Sequence, residues 1–180
     1  MKIGLLVVRL LIGGLLVGHG TQKLFGWFGG EGPGPTGEAF EGMGLRPGRR
    51  NAIAAGAAEA GGGTLLAAGL MTPVGAAAVT GSLATAIAAV HAKAGPWVTR
   101  GGWEYSGVLV ATLFTIVDVG PGHWSLDSLY GRSRWGTPWA LGAVAVGAAG
   151  AGLAIALGRS YPTPDEDAAN EMPAADASAG

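Results

Sequence analysis

Apolar residues run in five long stretches, at about 3–24, 51–70, 74–92, 104–119 and 139–157, and ionisable residues interrupt them at only a few positions. The stretches are 16 to 22 residues long and lack period-two alternation. A helix needs about 20 apolar residues to cross a ~30 Å hydrocarbon core. Backbone polar groups in lipid must be satisfied within the segment, which leaves helices as the spanning element. Charged residues are 13% of the chain, about half the share found in soluble domains. The expected fold is therefore an all-α integral membrane protein. An ionisable side chain within such a stretch is costly, and so each one is a candidate functional residue.

Small residues and connections refine the picture. Glycine occupies 35 of 180 positions, and small residues let helices approach closely in lipid. Gly14 and Gly18, Ala58 and Gly62, and Ala77 and Gly81 have the small-xxx-small spacing of such crossings. Residues 26–50 read as a Gly/Pro-rich loop, with Trp27 and Phe28 suited to the membrane interface. The 120–138 connector carries Trp124, Tyr130 and Trp135. From 159 the chain turns acidic and rich in Pro and Ala, the composition of a disordered tail. The expected organisation is a four-helix membrane domain over 1–130, a connector with an extra transmembrane helix over 131–158, and the acidic tail over 159–180. Lys and Arg flank the connections after the first and third stretches more often than the opposite side. The positive-inside rule then places the N-terminus outside.

Composition also excludes functions. The net charge of -1 carries no nucleic-acid footprint. The absence of cysteine excludes thiol–disulfide exchange, thiolate-held iron–sulfur clusters and c-type haem attachment by this chain.

Antiparallel connectivity and a rise of ~1.5 Å per residue convert sequence position into depth. The face at which the first stretch ends is here called the far face, and the opposite one the near face. His19, Gln22 and Lys23 close the first stretch, His91 closes the third, and Glu104 and Tyr105 open the fourth, all at the far face. Glu59 falls roughly 12 Å below that face. These seven side chains are expected to converge on one polar pocket. His19, Lys23, Glu59, His91 and Glu104 are the catalytic candidates. His19, Gln22, Lys23, His91, Glu104 and Tyr105 are the candidates for holding a cofactor. Structural roles compete at each position: Lys23 can snorkel to the interface, and Glu104 can cap a helix start. No pair of histidines or carboxylates shows tight ligand spacing, so no metal site is expected. Arg9 lies roughly 9 Å inside the near face, within reach of Glu59 and Asp118. An unpaired buried ion is costly, so Arg9, Glu59 and Asp118 are expected to form a structural ion pair.

The same residues carry a family resemblance. The run 9–30, centred on His19-Gly20-Thr21-Gln22-Lys23-Leu24-Phe25-Gly26, is similar to the N-terminal signature of the DoxX family. The resemblance continues through 58–62, 69–73, 90–91, 101–105 and 120–127, and so covers about 7–129. It implies a small multi-pass protein of the bacterial inner membrane with a four-helix core, to which the fifth stretch and the tail are an extension. The family takes its name from a membrane thiosulfate:quinone oxidoreductase. The resemblance therefore implies a quinone or similar lipid-soluble carrier as cofactor, and protein partners in a membrane complex.

Three functions compete. The first is an accessory, redox-linked subunit of a membrane oxidoreductase, with His19 and Lys23 offered to a quinone oxygen and Glu59 or Glu104 handling protons. The second is a non-enzymatic anchor or assembly partner, which contacts other proteins through the 31–50 loop and the tail. The third is a small-solute transporter, for which one four-helix core offers little of the usual inverted repeat unless the chain forms a homo-oligomer. The first is preferred.

Overall fold

The computed structural model describes residues 3–162. Beyond residue 162, the expected acidic tail lies outside the described residues. The secondary structure of the described part is helical, without strands. Its α-helices are α1 (Ile3–Phe25), α2 (Pro33–Gly42), α3 (Gly48–Ala68), α4 (Thr72–Ala86), α5 (Glu104–Val119), α6 (Leu126–Leu129) and α7 (Thr137–Arg159). A π turn (Ile87–His91) and a 3₁₀ turn (Ala92–Ala94) prolong α4.

Three helices are long and apolar enough to cross a membrane: α1, α4 with its extension to Ala94, and α7. At 16 residues α5 is shorter than these, and α3 carries Arg49, Arg50 and Glu59. The 26–50 stretch is not a plain loop, because it contains α2. Pro33 opens that helix, at the position where a fixed φ and a missing N–H cost nothing.

Glycine decides how closely the helices meet. Gly13 and Gly20 on α1 lie against the α3 backbone near Gly63 and Gly56, so α1 and α3 run antiparallel in intimate contact. Gly62 on α3 meets Gly75 and Val79 on α4, a second antiparallel crossing. Gly147 on α7 sits against Ala77, Thr80 and Gly81. The Ala77/Gly81 spacing therefore serves the α4–α7 contact. A Cβ added at Gly14 or Gly18 would meet nothing within 4 Å, so this pair does not make a close crossing. The α1–α3 seam uses a seven-residue spacing, Gly13 and Gly20, because that pair stays on one face over two turns.

A core of Leu16, Leu66, Val79, Leu83, Leu113, Val117 and Ala140 joins α1, α3, α4, α5 and α7. Outside it, α1 exposes Val7, Leu10, Leu11 and Leu15, and α7 exposes Leu141, Val146, Leu153 and Leu157, as lipid-facing surfaces do. Exposed Trp27, Phe28, Trp97 and Trp103 ring one end of the bundle, and Trp124, Tyr130 and Trp139 the other. Amphipathic rings concentrate at the two membrane–water interfaces.

Candidate functional site

Two polar centres lie inside the bundle. The deeper one joins α1, α3 and α4. Glu59 is 7% exposed. Its Oε2 accepts from Lys23 Nζ at 2.5 Å, and its Oε1 accepts from Ser82 Oγ at 2.6 Å. Helix geometry brings the ions together. Side chains lean toward the N-terminus of their own helix, so on antiparallel α1 and α3 the Lys23 chain leans inward and the Glu59 chain leans toward it. Both carboxylate oxygens are satisfied, which is what makes a buried carboxylate tolerable.

This pair forms the polar corner of a cavity of about 340 Å³. The remaining lining is mainly small and apolar, with Ala54, Ala55, Ala58, Ala78, Ala86, Ala89 and Ala154 among it, and Phe40, Met43 and Leu45 at one side. Asn51 and Thr85 add two further polar side chains. Of the lining residues, Met43, Ala54, Val90 and Gly150 are themselves exposed, so the cavity reaches the surface beside them. Gly150 lies nine residues before the end of α7, which places that opening roughly 14 Å below the helix end. The opening at Gly150 is lateral, at the depth of lipid, while Met43 lies in the connection after α2.

The other far-face candidates do not join this corner. His19 is exposed, and its Nδ1 lies 3.1 Å from Gln22 Oε1. Gln22 Nε2 donates to the Phe28 carbonyl and ties the end of α1 to the following turn. His91 Nδ1 lies 2.6 Å from the Gly101 carbonyl. Glu104 Oε2 accepts from the Val98 N–H, so it braces the 95–103 loop. Tyr105 is half exposed. Of the seven side chains expected to converge, only Lys23 and Glu59 meet at this corner, while His19 meets Gln22 outside it. The five others sit at the same end of the bundle but point around its rim or into a loop. Among the described residues, no group of three His, Cys, Asp or Glu side chains gathers to hold a metal.

The second centre lies at the near face and corrects the expected ion pair. Arg9, 1% exposed, pairs with neither Glu59 nor Asp118. Its Nε donates to Leu66 O at 3.0 Å and its Nη2 to Ala67 O at 2.8 Å. Its Nη1 donates to Trp124 O at 3.0 Å and also to Pro121 O. The guanidinium thus occupies the carbonyl end of α3, where a cation also favours the helix dipole. Gly69, at φ 61°, gives it room, since a Cβ there would meet Arg9 Nη2 and Cζ. Glu59 is instead taken by Lys23, and Asp118 accepts from Thr137 Oγ1 at 2.6 Å, at the start of α7.

Asp127 completes this centre. It is buried and receives the Met71 and Thr72 N–H groups at 2.8 and 3.1 Å, the Thr72 hydroxyl at 2.7 Å and the Trp135 indole at 2.9 Å. It therefore caps the amide end of α4 while Arg9 caps the carbonyl end of α3, across one tight turn. Met71 takes φ 45° in that turn, a strained value for a side chain of its size, and its N–H is fixed by Asp127. Burial alone would raise the Asp127 carboxyl, but the hydrogen bonds from Thr72, Trp135 and Met71 outweigh it and hold the group below the ordinary carboxylate range. A depressed folded value means stability that is present above the unfolded value and lost as pH falls through the folded one. The stability advantage of the wild type over Asp127→Asn is thus expected to shrink as pH falls below about 5 and through the depressed folded value. Unfolding midpoints in detergent across that range measure it; a pH-independent gap would mean that folding leaves the proton affinity of Asp127 unchanged, and a gap that widens as pH falls would mean that the folded protein holds it neutral.

Sequence reasoning missed Asp127 and Ser82. Asp127 had a signal, as an acidic residue in an aromatic, Gly/Pro-rich connector on the same face as Arg9. Ser82 had none beyond being a hydroxyl in an otherwise apolar stretch.

The fold and these centres define a helical membrane protein with a lipid-depth cavity and a buried, capped helix turn. The DoxX family model matches residues 4–92, from α1 into the α4 extension. The chain is a membrane protein that carries a DoxX-family domain. The match ends before the 101–105 and 120–127 runs and before α7. No curated protein and no solved structure matches the chain.

Proposed function

We propose that the cavity holds the head of a neutral, lipid-soluble ring carrier of the quinone class, and that the protein serves as a redox-linked subunit of a complex in the bacterial inner membrane. One observation carries this reading: a mainly apolar cavity opens sideways at lipid depth and ends in a single, charge-balanced polar corner. Its volume of about 340 Å³ sits at the small end of the ~300–1,000 Å³ range of ligand sites. It suits a ring head whose tail stays in lipid.

The donor set fits a carbonyl-bearing head. Lys23 Nζ uses one N–H on Glu59 and keeps two for a ligand oxygen. Ser82 spends its hydroxyl proton on Glu59, so it orients the carboxylate and does not itself donate to the ligand. The corner carries no net charge, which favours a neutral head over an anion. Lys23 and Glu59 also place an ammonium and a carboxylate where protons are taken up or released when such a head changes redox state. The chain has no cysteine, so we assign electron delivery to a bound group or a partner protein.

A solute-transporter role is less well supported, because the cavity lining is mainly apolar and one of its openings lies on the side of the bundle. The anchor role predicts no ligand in the cavity. Extraction in mild detergent followed by mass spectrometry of bound small molecules separates the readings. A lipid-soluble ring carrier is expected with the wild type and with His19→Ala, which lies outside the cavity, and is expected to be depleted in Lys23→Met. An empty wild type, or equal loss in His19→Ala, would refute the cavity assignment.

A further inference from the structure

We infer that α7, which lies outside the DoxX match, sets the size of ring that the cavity admits. This inference rests on the functional reading above and concerns the selectivity of the same cavity.

The lining divides by origin. The polar corner, Lys23, Glu59 and Ser82, and every other lining residue up to Val90 belong to the matched part of the chain. The remaining wall is Gly150, Ala151 and Ala154, all on α7. The chemistry of the cavity thus comes from the matched part of the protein, and α7 closes the remaining wall with small side chains.

The α7 wall is also held in place at two levels. Gly147 lies against Thr80, Ala77 and Gly81, and Gly158 lies against Gly44, Leu45 and Arg46. These contacts are eleven residues apart, or roughly 16 Å along the axis, and they bracket Gly150, Ala151 and Ala154. Both are backbone approaches that allow no larger residue and little sliding. Between them, the small α7 side chains leave the gap that the cavity fills. Volume added on this wall cannot be relieved by a shift of α7, so it comes out of the cavity. A wall of Gly and Ala admits a ring system, and added methylenes exclude the larger of two rings first.

Two variants and two probes test this. Ala154→Leu adds bulk on the wall. Gly150→Ala adds one methyl at a position where a Cβ meets nothing within 4 Å, so the fold tolerates it. The probes are a single-ring benzoquinone and a two-ring naphthoquinone that carry the same short alkyl tail, titrated against purified protein in detergent. Both probes are expected to bind the wild type. Ala154→Leu is expected to weaken the two-ring probe by about tenfold or more relative to the single-ring probe, the scale of a few misplaced methylenes in an apolar pocket. Gly150→Ala is expected to shift the same ratio in the same direction by less. An unchanged ratio in both variants, or equal loss of both probes, would overturn the role of α7 and leave the cavity assignment standing. Binding of neither probe to the wild type would overturn the cavity assignment itself, and the inference with it.

Discussion

Arg9→Ala is expected to destabilise the protein by about 3–5 kcal/mol, the cost of dismantling a buried charge network. The substitution leaves the carbonyls of Leu66, Ala67, Pro121 and Trp124 without the donor that all four share. The Leu66 carbonyl keeps the Gly69 N–H; each carbonyl left without a partner costs about 1–3 kcal/mol, and water recovers part of this for those nearer the surface. The loss also removes the cation from the α3 C-terminus and leaves Asp127 without the guanidinium that attracts it. Arg9→Lys keeps the charge but not the planar fork, so it should recover only part of the deficit. Unfolding midpoints in detergent and the amount of protein recovered from membranes measure both. A wild-type midpoint for Arg9→Ala would show that the α3–α4 turn does not depend on this cap.

The second large effect concerns Lys23. Lys23→Met leaves Glu59 buried with Ser82 as its remaining partner. Removing one member of a fully buried pair costs about 3–5 kcal/mol. The Lys23 side chain is 24% exposed, and screening brings the expected loss down to about 2 kcal/mol. The reverse change, Glu59→Gln, should cost less, because the freed Lys23 chain can extend toward the interface. The double variant should be more stable than Lys23→Met alone, since it removes the uncompensated carboxylate. The three variants and the wild type form a double-mutant cycle, in which strict additivity would contradict a direct Lys23–Glu59 interaction.

The helices were legible because their signal is length and apolarity, and those survive without knowledge of packing. The residues of the site were legible one at a time. Lys23, Glu59 and Arg9 each stand out as charges in apolar stretches, but their pairing did not follow from axial distance. Arg9 and Glu59 are close enough along the axis, yet side chains lean toward their helix N-termini, which turns Glu59 toward Lys23. Arg9 was expected to need an acid because charge was counted and helix-end carbonyls were not. The end of α3 aims the Leu66 and Ala67 carbonyls, and the connector after α5 aims those of Pro121 and Trp124, at one point, and a guanidinium has the donors to take them all. The rim residues His19, His91, Glu104 and Tyr105 share a depth with the cavity. Depth alone does not say which way a side chain points around the helix, so their convergence was not secured by it. The cavity itself had no sequence signature, since it is the space left by alanines and glycines on three helices.

The central claim is that the cavity beside Lys23 and Glu59 holds a lipid-soluble ring. A photoreactive quinone analogue with a short tail, activated with the protein in lipid vesicles and followed by peptide mapping, tests it directly. The account predicts labelling concentrated on the cavity segments of α3 and α4, around Ala55, Ala58, Thr85 and Ala89, with competition by unlabelled quinone. Labelling confined to the lipid-facing surface of α1, around Val7 and Leu11, and insensitive to competition, would contradict it.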